Sequence, residues 1–274
     1  MMNFDWYGST VEADWESTMG YLGNALPGAS PERARPLMGY GQAVEFKQAG
    51  GVVAKLMWEN RGARDEDTCY VVGTGPNAPV VATALRRWQE QDGVFHRVSR
   101  VDVAEDFAGE GMWERLSGES LAVADAHRIK VEHAGDWHRG LDGRTLYVGG
   151  RQSPLRAVCY EKGKQLKALY PEADPLHVRV ELRVRPDGRT AKYQAGQMPP
   201  VDLYGASPWT RDLAARIGHP DVARCSLGSV YRVEDKQRSR RALLRMFGNT
   251  LVGLRDDEGT WSAVGEWIGK ELGS

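Results

Sequence analysis

Runs in which apolar and polar residues alternate dominate the first two thirds of this chain. A period of two residues is typical of a β-strand that buries one face and exposes the other. Glycine and proline clusters separate the runs, and residues 23–36 are predicted to form a loop on that basis. The pattern predicts strands over residues 3–12, 43–48, 52–59, 68–75, 97–107, 127–133, 145–150, 156–162 and 177–185.

Helical spacing of apolar residues occurs in fewer segments. Pro79 opens one of them, at a position that a helix tolerates for proline, and apolar residues follow at steps of four and three. Two more helices are predicted over roughly residues 233–254 and 260–272. Because helices and strands do not alternate regularly, we predict an α+β fold with central antiparallel β-sheets, packed helices and a C-terminal helical segment.

Length and composition indicate a folded protein with one main domain. The chain has 274 residues, of which 41% are hydrophobic, enough for a substantial core. A Gly/Pro-rich stretch at residues 186–208 marks a boundary. We therefore predict a domain over residues 1–205 and a helical segment over residues 206–274 that packs on it or is appended to it.

The sequence favours a cytoplasmic protein. No apolar run approaches the roughly 20 residues that span a bilayer, and the first fifteen residues carry acids without a basic segment, so we expect neither a membrane partner nor a signal peptide. Three cysteines, Cys69, Cys159 and Cys225, lie far apart and form no C-x-x-C pair, which is typical of a reducing compartment.

Charge is distributed unevenly, although the formal net charge is only -1. Residues 139–189 hold eleven Lys or Arg against six Asp or Glu, a net of +5, and residues 232–245 hold six against two, a net of +4. Two basic segments are compatible with a localised site for a polyanion. The alternative is that basic and acidic segments simply neutralise each other on the surface.

Three predicted strands place charged groups opposite an apolar face. In the strand that ends at Phe107, Asp102 and Asp106 share one face, and in the strand over residues 177–185 Glu181 shares a face with flanking arginines. The predicted strand over residues 156–162 carries Tyr160 among basic side chains. Carboxylates suit a hard ion such as Mg²⁺ or Mn²⁺, which polarises a phosphoryl oxygen.

Tyrosine can form a covalent phosphodiester with DNA. Its free pKa of about 10 keeps it protonated at neutral pH, so it needs activation. Arg151, Lys162 and Lys164 are close enough in sequence to lower that pKa or to bind a phosphate. Asp102 and Asp106 are about 13 Å apart by strand rise, so Asp102 with Glu181 is the preferred metal pair.

Plainer interpretations of the same residues remain open. Alternating charge on a strand is usually the solvated face of a half-buried sheet, and Asp102, Glu181, Arg179 and Arg183 could form cross-strand ion pairs. Tyr160 is one of ten tyrosines, and most strand tyrosines pack.

Several motifs resemble the replication initiation factor family, the trans-acting initiators of rolling-circle plasmids and filamentous phages. The family shows an R-x-D-x-A-x-D-F-like strand, matched by residues 100–107, and an R-x-E strand, matched from Arg179. Between them it shows Y-x-G-x-R-x-S and a strand that ends in Y-x-K. These elements correspond here to Tyr147, Gly149, Arg151, Ser153, Tyr160 and Lys162.

The resemblance implies a DNA nicking–joining enzyme that acts at a replication origin. By that match, Tyr160 would attack one DNA strand, hold it as a 5′-phosphotyrosyl ester and release a 3′-OH that primes a host polymerase. It implies a divalent metal, Mg²⁺ or Mn²⁺, with Asp102, Glu181 and Asp106 at acidic positions. The further roles are catalytic for Lys162 and Arg151, and DNA-binding for Lys164, Arg179, Arg183, Arg156, Arg238 and Arg241.

Two departures from family patterns bear on this assignment. The six histidines include no H-x-H pair, the metal motif of many other rolling-circle initiators, which favours the trans-acting group. Glu161 replaces an Asp or Asn often found after the tyrosine, and because it points to the opposite face we expect little effect.

Plasmid members also imply a homodimer, and a host helicase is a further expected partner.

Two other functions are kept as alternatives. The first is a non-catalytic origin-binding or regulatory protein on the same scaffold. The second is a metal-dependent nuclease that uses water, for which Tyr160 would be dispensable and Asp102 would not. Arg238 and Arg241, on one side of the predicted helix over residues 233–254, suit phosphate contacts or a solvated basic face equally well.

Overall fold

Ten strands form one antiparallel sheet in the computed structural model, which describes residues 1–49, 51–60, 67–167, 170–227 and 235–271. The predicted α+β fold is confirmed, with a single sheet in place of several. The spatial order is β2-β3-β4-β5-β1-β6-β10-β9-β8-β7. The strands are β1 Asn3–Val11, β2 Ser30–Arg33, β3 Tyr40–Gln48, β4 Gly51–Asn60, β5 Cys69–Thr74, β6 His96–Ala108, β7 Val131–Gly135, β8 Arg144–Val148, β9 Leu155–Tyr160 and β10 His177–Val184.

Helices occupy several stretches that the alternation pattern does not predict. The loop predicted at residues 23–36 instead contains the end of α1 and strand β2, and the boundary stretch at residues 186–208 contains α5 and a 3₁₀ turn at Val201–Ala206. The helix predicted to open at Pro79 is confirmed as α2, which begins one residue earlier, at Ala78. The helices are α1 Trp15–Ala25, α2 Ala78–Asp92, α3 Met112–His127, α4 Lys162–Lys167, α5 Arg189–Gln197, α6 Pro208–Arg216, α7 Asp235–Glu258 and α8 Trp261–Glu271.

The sheet has a first face that is covered by helices and a second face opposite it. Helices α1, α2, α3, α5 and α6 bury apolar side chains against the first face, where they meet strand residues such as Val71, Val101 and Leu182. Because successive side chains of a strand point to opposite sides, the residues between these core positions lie on the second face. We call this second side the open face.

The sheet is built twice from the same topological unit. In the first half, residues 3–92, strand β1 is followed by a helix and four strands that return to lie beside β1, and then by α2. In the second half, residues 96–197, β6 is followed in the same way by a helix and four strands that return to lie beside β6, and then by α5. The halves meet where β1 pairs antiparallel with β6.

The open face differs between the two halves. In the first half it carries a small apolar cluster of Ala43, Met57, Tyr70 and Val72, packed with Trp6 and other partly buried residues. In the second half the corresponding strands carry charged side chains, described below. One topology therefore presents two surfaces of different chemistry.

The chain forms two compact units, Met1–Val230 and Tyr231–Ser274. The larger unit contains the whole sheet and helices α1 to α6, while the smaller contains α7 and α8. The predicted division after residue 205 stays a prediction. No helix within the described residues has the length and apolar character to cross a membrane.

Tyr7 connects the two halves through their central strands. Its side chain is fully buried on β1, with its hydroxyl 2.8 Å from Nε2 of His96 on β6 and 3.2 Å from the carbonyl oxygen of Gly196 in α5. We expect Tyr7→Phe to lower the free energy of unfolding by about 1–3 kcal/mol, because His96 loses a buried partner. Denaturant titration measures this, with exposed Tyr170→Phe as the control. Equal stability of the two variants would contradict the assignment.

Candidate active site

Strands β6, β10 and β9 lie side by side and bring the predicted site residues onto the open face. Arg179 on β10 stands opposite Asp106 on β6 and opposite Tyr160 on β9. Arg183 stands opposite Asp102 on β6. This register agrees with the faces predicted from alternation, and it places carboxylates, arginines and the tyrosine on neighbouring strands.

Tyr160 is the last residue of β9 and is only partly exposed. Burial and then the negative charge of Glu181 raise the pKa of its phenol above the ordinary value of 10, while Arg179 acts against them. The Lys162 ammonium lies 5.6 Å from the centre of the Tyr160 ring. The phenol of Tyr160 is therefore held neutral among charged groups of both signs.

Asp5 belongs to this site and is missed by sequence reasoning. A β-bulge in β1 falls between Phe4, which pairs with Val103, and Trp6, which pairs with Asp102. Strict alternation would place Asp5 on the same side as buried Tyr7, but the extra residue re-aims its carboxylate. Asp5 Oδ1 lies 2.7 Å from a guanidinium nitrogen of Arg179, and its charge also acts on Tyr160.

Arg179 links the groups around the tyrosine. Its Nε and second terminal nitrogen donate to the two Asp106 oxygens at 2.6 and 2.7 Å, a bidentate pair, while its first terminal nitrogen donates to Asp5. His177 also lies 2.8 Å from Asp106. Burial alone would raise the pKa of Asp106, but hydrogen bonds from Arg179 and His177 hold it below its usual value. Asp106 is thus committed to Arg179.

Asp102 and Glu181 form the buried acidic pair. Their relative exposures are 2% and 4%. Asp102 accepts a hydrogen bond from Arg100 Nε at 2.9 Å, and Glu181 accepts one from Arg183 Nε at 2.7 Å. Burial and then the negative charge of Asp102 raise the pKa of Glu181 above its ordinary value.

The acidic pair fits a Mg²⁺-type ion. No group of three or more His, Cys, Asp or Glu is arranged to hold a metal among the residues that the structure describes. Magnesium is commonly held by one or two carboxylates, with waters and substrate phosphate completing its shell. Asp102 and Glu181 supply that number of hard oxygen ligands, and a cation between them would offset their repulsion.

Glu161 anchors the end of the tyrosine strand. Its carboxylate, buried on the side away from Tyr160, accepts hydrogen bonds from the Arg144 backbone at 2.8 Å and from the Arg144 side chain at 2.9 and 3.0 Å. Lys164 lies 2.8 Å from it and also donates to the Gly140 carbonyl. The expectation that Glu in place of Asp or Asn matters little stays a prediction, and the structure adds that Glu161 pairs with both Arg144 and Lys164.

The chain turns from strand to helix directly after Tyr160. The strand predicted through residue 162 ends at Tyr160, and Lys162 begins α4. Gly163 is required there, since a Cβ would lie 1.8 Å from the carbonyl oxygen of Asp174. This turn carries Lys162 back over the tyrosine ring.

The remaining predicted basic residues that the structure describes are not brought next to Tyr160. Arg151 precedes β9, at the opposite end of that strand from Tyr160, so the fold does not bring the two together. Arg156 donates to Glu132 at 2.8 Å and stacks 4.0 Å from the Tyr147 ring centre. The side chains of Arg238 and Arg241, on α7, lie outside the described residues.

Comparison with known proteins gives one family match. Residues 96–195 match the family model described as replication initiation factor. These residues run from the start of β6 into α5, so they coincide with the second half of the sheet and contain Asp102, Tyr160 and Glu181. The resemblance stated from the motifs is confirmed over this half.

A solved structure is also similar in shape. It is described as a rolling circle replication initiator protein from Geobacillus stearothermophilus and is 17% identical, with a TM-score of 0.49. The similarity covers 75% of this chain and 83% of that chain. A search of curated proteins finds no match.

We expect Glu161→Gln to destabilise the protein near neutral pH. Removing one partner of a buried pair costs about 3–5 kcal/mol; because Arg144 and Lys164 are partly exposed, about 1–3 kcal/mol is expected here. Hydrogen bonds lower the pKa of Glu161 against the opposing effect of burial, so its contribution is present above the unfolded value of about 4.3 and is lost below it.

Thermal unfolding of both proteins from pH 7 to pH 3 measures the difference. The gap between wild type and Glu161→Gln should begin to close as the pH falls below about 4.3 and should close fully only below the lowered pKa of the folded state. Glu114→Gln, which removes an exposed partner of the same arginine, is the matched control and should change little. A gap that is constant with pH would contradict the role of the Glu161 carboxylate.

Proposed function

From the family match of residues 96–195, we propose that this chain initiates rolling-circle DNA replication by nicking and rejoining one strand of origin DNA. The observation that carries the proposal is the placement of Tyr160 among Asp5, Glu181, Arg179 and Lys162 on the open face. A nucleophile, carboxylates and cations that suit a phosphodiester thus lie together, and all but Asp5 belong to the matched half.

The nicking step is a transesterification. The Tyr160 hydroxyl oxygen attacks the scissile phosphorus and forms a new P–O bond, while the bond from phosphorus to the 3′ oxygen breaks. The 5′ end stays on the protein as a phosphotyrosyl ester, and the leaving 3′ oxygen takes up a proton. Because one phosphodiester replaces another, the step is reversible, and attack by a 3′-OH on the ester rejoins the strand.

Proton transfer from Tyr160 falls to the carboxylates around it. Its raised pKa keeps the phenol neutral, so a base has to accept the proton as the attack proceeds. With Asp102 and Glu181 assigned to the ion, Asp5 is the remaining carboxylate whose charge acts on Tyr160, and it would accept the proton. Arg179 and Lys162 stabilise the negative charge that builds on the tyrosine oxygen and the phosphate.

Asp102 and Glu181 are the residues that would hold a divalent ion, Mg²⁺ or Mn²⁺. When bound, such an ion would polarise the scissile phosphate and offset its charge. The arginines that now pair with these carboxylates, Arg100 and Arg183, would become available to phosphate oxygens. Asp106 is bound bidentately by Arg179, so it would hold Arg179 beside Tyr160 and would not ligate the metal.

Several partners follow from an initiator role. The substrate is origin DNA, presented as a single strand or as extruded supercoiled duplex, and the 3′-OH product would be extended by a host polymerase after unwinding by a host helicase. Such a protein would work in the cytoplasm, and a homodimer is a further proposal. Replication from an origin is the biological role that this chemistry serves.

Tyr160→Phe should abolish covalent attachment to DNA while leaving DNA binding intact, because the change removes only the nucleophilic oxygen. The assay incubates protein with Mn²⁺ and labelled single-stranded oligonucleotides from its own replicon and resolves adducts on a denaturing gel. Tyr147→Phe is the matched control, since it removes a hydroxyl from the same face and keeps the ring beneath Arg156. An adduct with Tyr160→Phe would exclude this nucleophile.

Asp102→Asn should reduce adduct formation by at least about 100-fold, a loss typical of removing one charge-stabilising group. Raising Mn²⁺ should partly restore it. Cleavage without attachment, lost in Asp102→Asn but retained in Tyr160→Phe, would instead identify a water-using nuclease. Tight binding with no product, on supercoiled origin plasmid as well, would identify a non-catalytic origin-binding protein.

A further inference from the structure

Arg185 lies at the end of the open face that is farthest from Tyr160. It follows β10 directly, and the β10–β6 register of Arg183 with Asp102 and Val184 with Val101 places Arg185 across from Arg100. Arg179, which contacts the tyrosine's surroundings, is six residues earlier, about 20 Å away along the strand. The two arginines therefore mark opposite ends of one surface.

Guanidinium groups outnumber carboxylates at this end. Arg100 pairs with Asp102, Arg183 pairs with Glu181 and Arg156 pairs with Glu132. Arg185 has no carboxylate within ion-pair distance among the described residues, and its guanidinium contacts the carbonyl oxygens of Arg151 and Ser153 at 3.4 Å. Four arginines thus share three carboxylates, which leaves one positive charge without a counter-ion.

The position of Arg185 is fixed by its own backbone. Its N–H donates to the Pro154 carbonyl at 2.7 Å, which ties the end of β10 to the turn before β9. The side chain is half-buried. A guanidinium held in place loses little conformational entropy when it binds an oxyanion, so the site is preorganised.

The electrostatic surroundings of Arg185 also favour an anion. Burial and the positive charges of Arg100, Arg183 and Arg156 lower its pKa, although Asp102 acts in the opposite direction. Arg179 has the contrary balance, since hydrogen bonds and charges of Asp106 and Asp5 raise its pKa despite burial. One end of the face is compensated by carboxylates, and the other end is deficient in negative charge.

We propose that Arg185, together with Arg100, binds a backbone phosphate of the DNA strand whose scissile phosphate lies at Tyr160. This inference rests on the proposed function and adds a second, distant contact to it. The separation of about 20 Å corresponds to roughly six nucleotides at the 3.4 Å rise of a stacked strand, and to fewer when the strand is stretched. This contact would fix the path of the DNA strand across the open face of the β-sheet.

The salt dependence of binding tests this contact. Each phosphate contact on a single strand contributes about 0.7 to the slope of log affinity against log salt concentration. Arg185→Gln should therefore lower that slope by about 0.7 on a labelled 20-nucleotide origin strand, and Arg185→Lys, which keeps the charge, should restore most of it. Arg189→Gln is the control, because Arg189 lies on α5 and pairs with Glu12. Circular dichroism checks that each variant is folded.

Shortening the oligonucleotide locates the contact. Removing nucleotides stepwise from one side of the cleavage position should reach a length at which wild type and Arg185→Gln bind equally. An Arg185→Gln slope equal to that of wild type on the full-length strand would overturn the inference. Persistence of the difference on strands too short to extend beyond the Tyr160 end would overturn it as well.

The two proposals fail in different ways. A wild-type adduct at Tyr160 with no change of slope in Arg185→Gln would retain the nicking function and reject the distant phosphate contact. A reduced slope without any adduct would retain the contact and reject the nicking function. Absence of salt-dependent binding in the wild type would reject both.

Discussion

Pairing of β10 with β6 on one side and with β9 on the other decides which charged groups meet. A shift of one residue in either register would send Arg179, Glu181 and Arg183 to the helix-covered face and bring Val180 and Leu182 to the open one. The core residues of β10 prevent that shift, because burying three charges under the helices would cost far more than any gain in pairing. Burial of Val180 and Leu182 under the helices therefore keeps Arg179, Glu181 and Arg183 on the open face.

Charge compensation on the open face is local and incomplete. Asp102 and Glu181 are almost fully buried, and each accepts a hydrogen bond from an arginine two residues away on its own strand. Arg179 at the tyrosine end contacts two carboxylates, Asp5 and Asp106, whereas Arg185 at the other end is surrounded by arginines and contacts no carboxylate among the described residues. A polyanionic DNA strand would supply negative charge at the Arg185 end, and a cation would supply positive charge beside Asp102 and Glu181.

Sequence alone predicts a large part of this arrangement, and the failures have a common physical cause. Alternation assigns the faces of β10 and of residues 101–107 of β6, because these two segments pair without a register shift, and the motif order points to Tyr160 as the proposed nucleophile. Asp5 is missed because a bulge breaks the alternation, and a bulge depends on the partner strand. The ion pair of Glu161 is not predicted, because its partner, Arg144, is distant in sequence. Arg151 is close to Tyr160 in sequence but is separated from it by the whole length of β9.

The repeated topology has a consequence for symmetry. Two copies of a strand that pair antiparallel are related by a two-fold axis, as in an isologous dimer of identical subunits. Such a dimer repeats every side chain on both sides of its axis, so it would carry two tyrosines and two acidic pairs. Because here both copies belong to one polypeptide, each could take a different sequence. One copy carries the charged groups around Tyr160 and the other carries an apolar cluster, so the two related halves of the described sheet differ in chemistry.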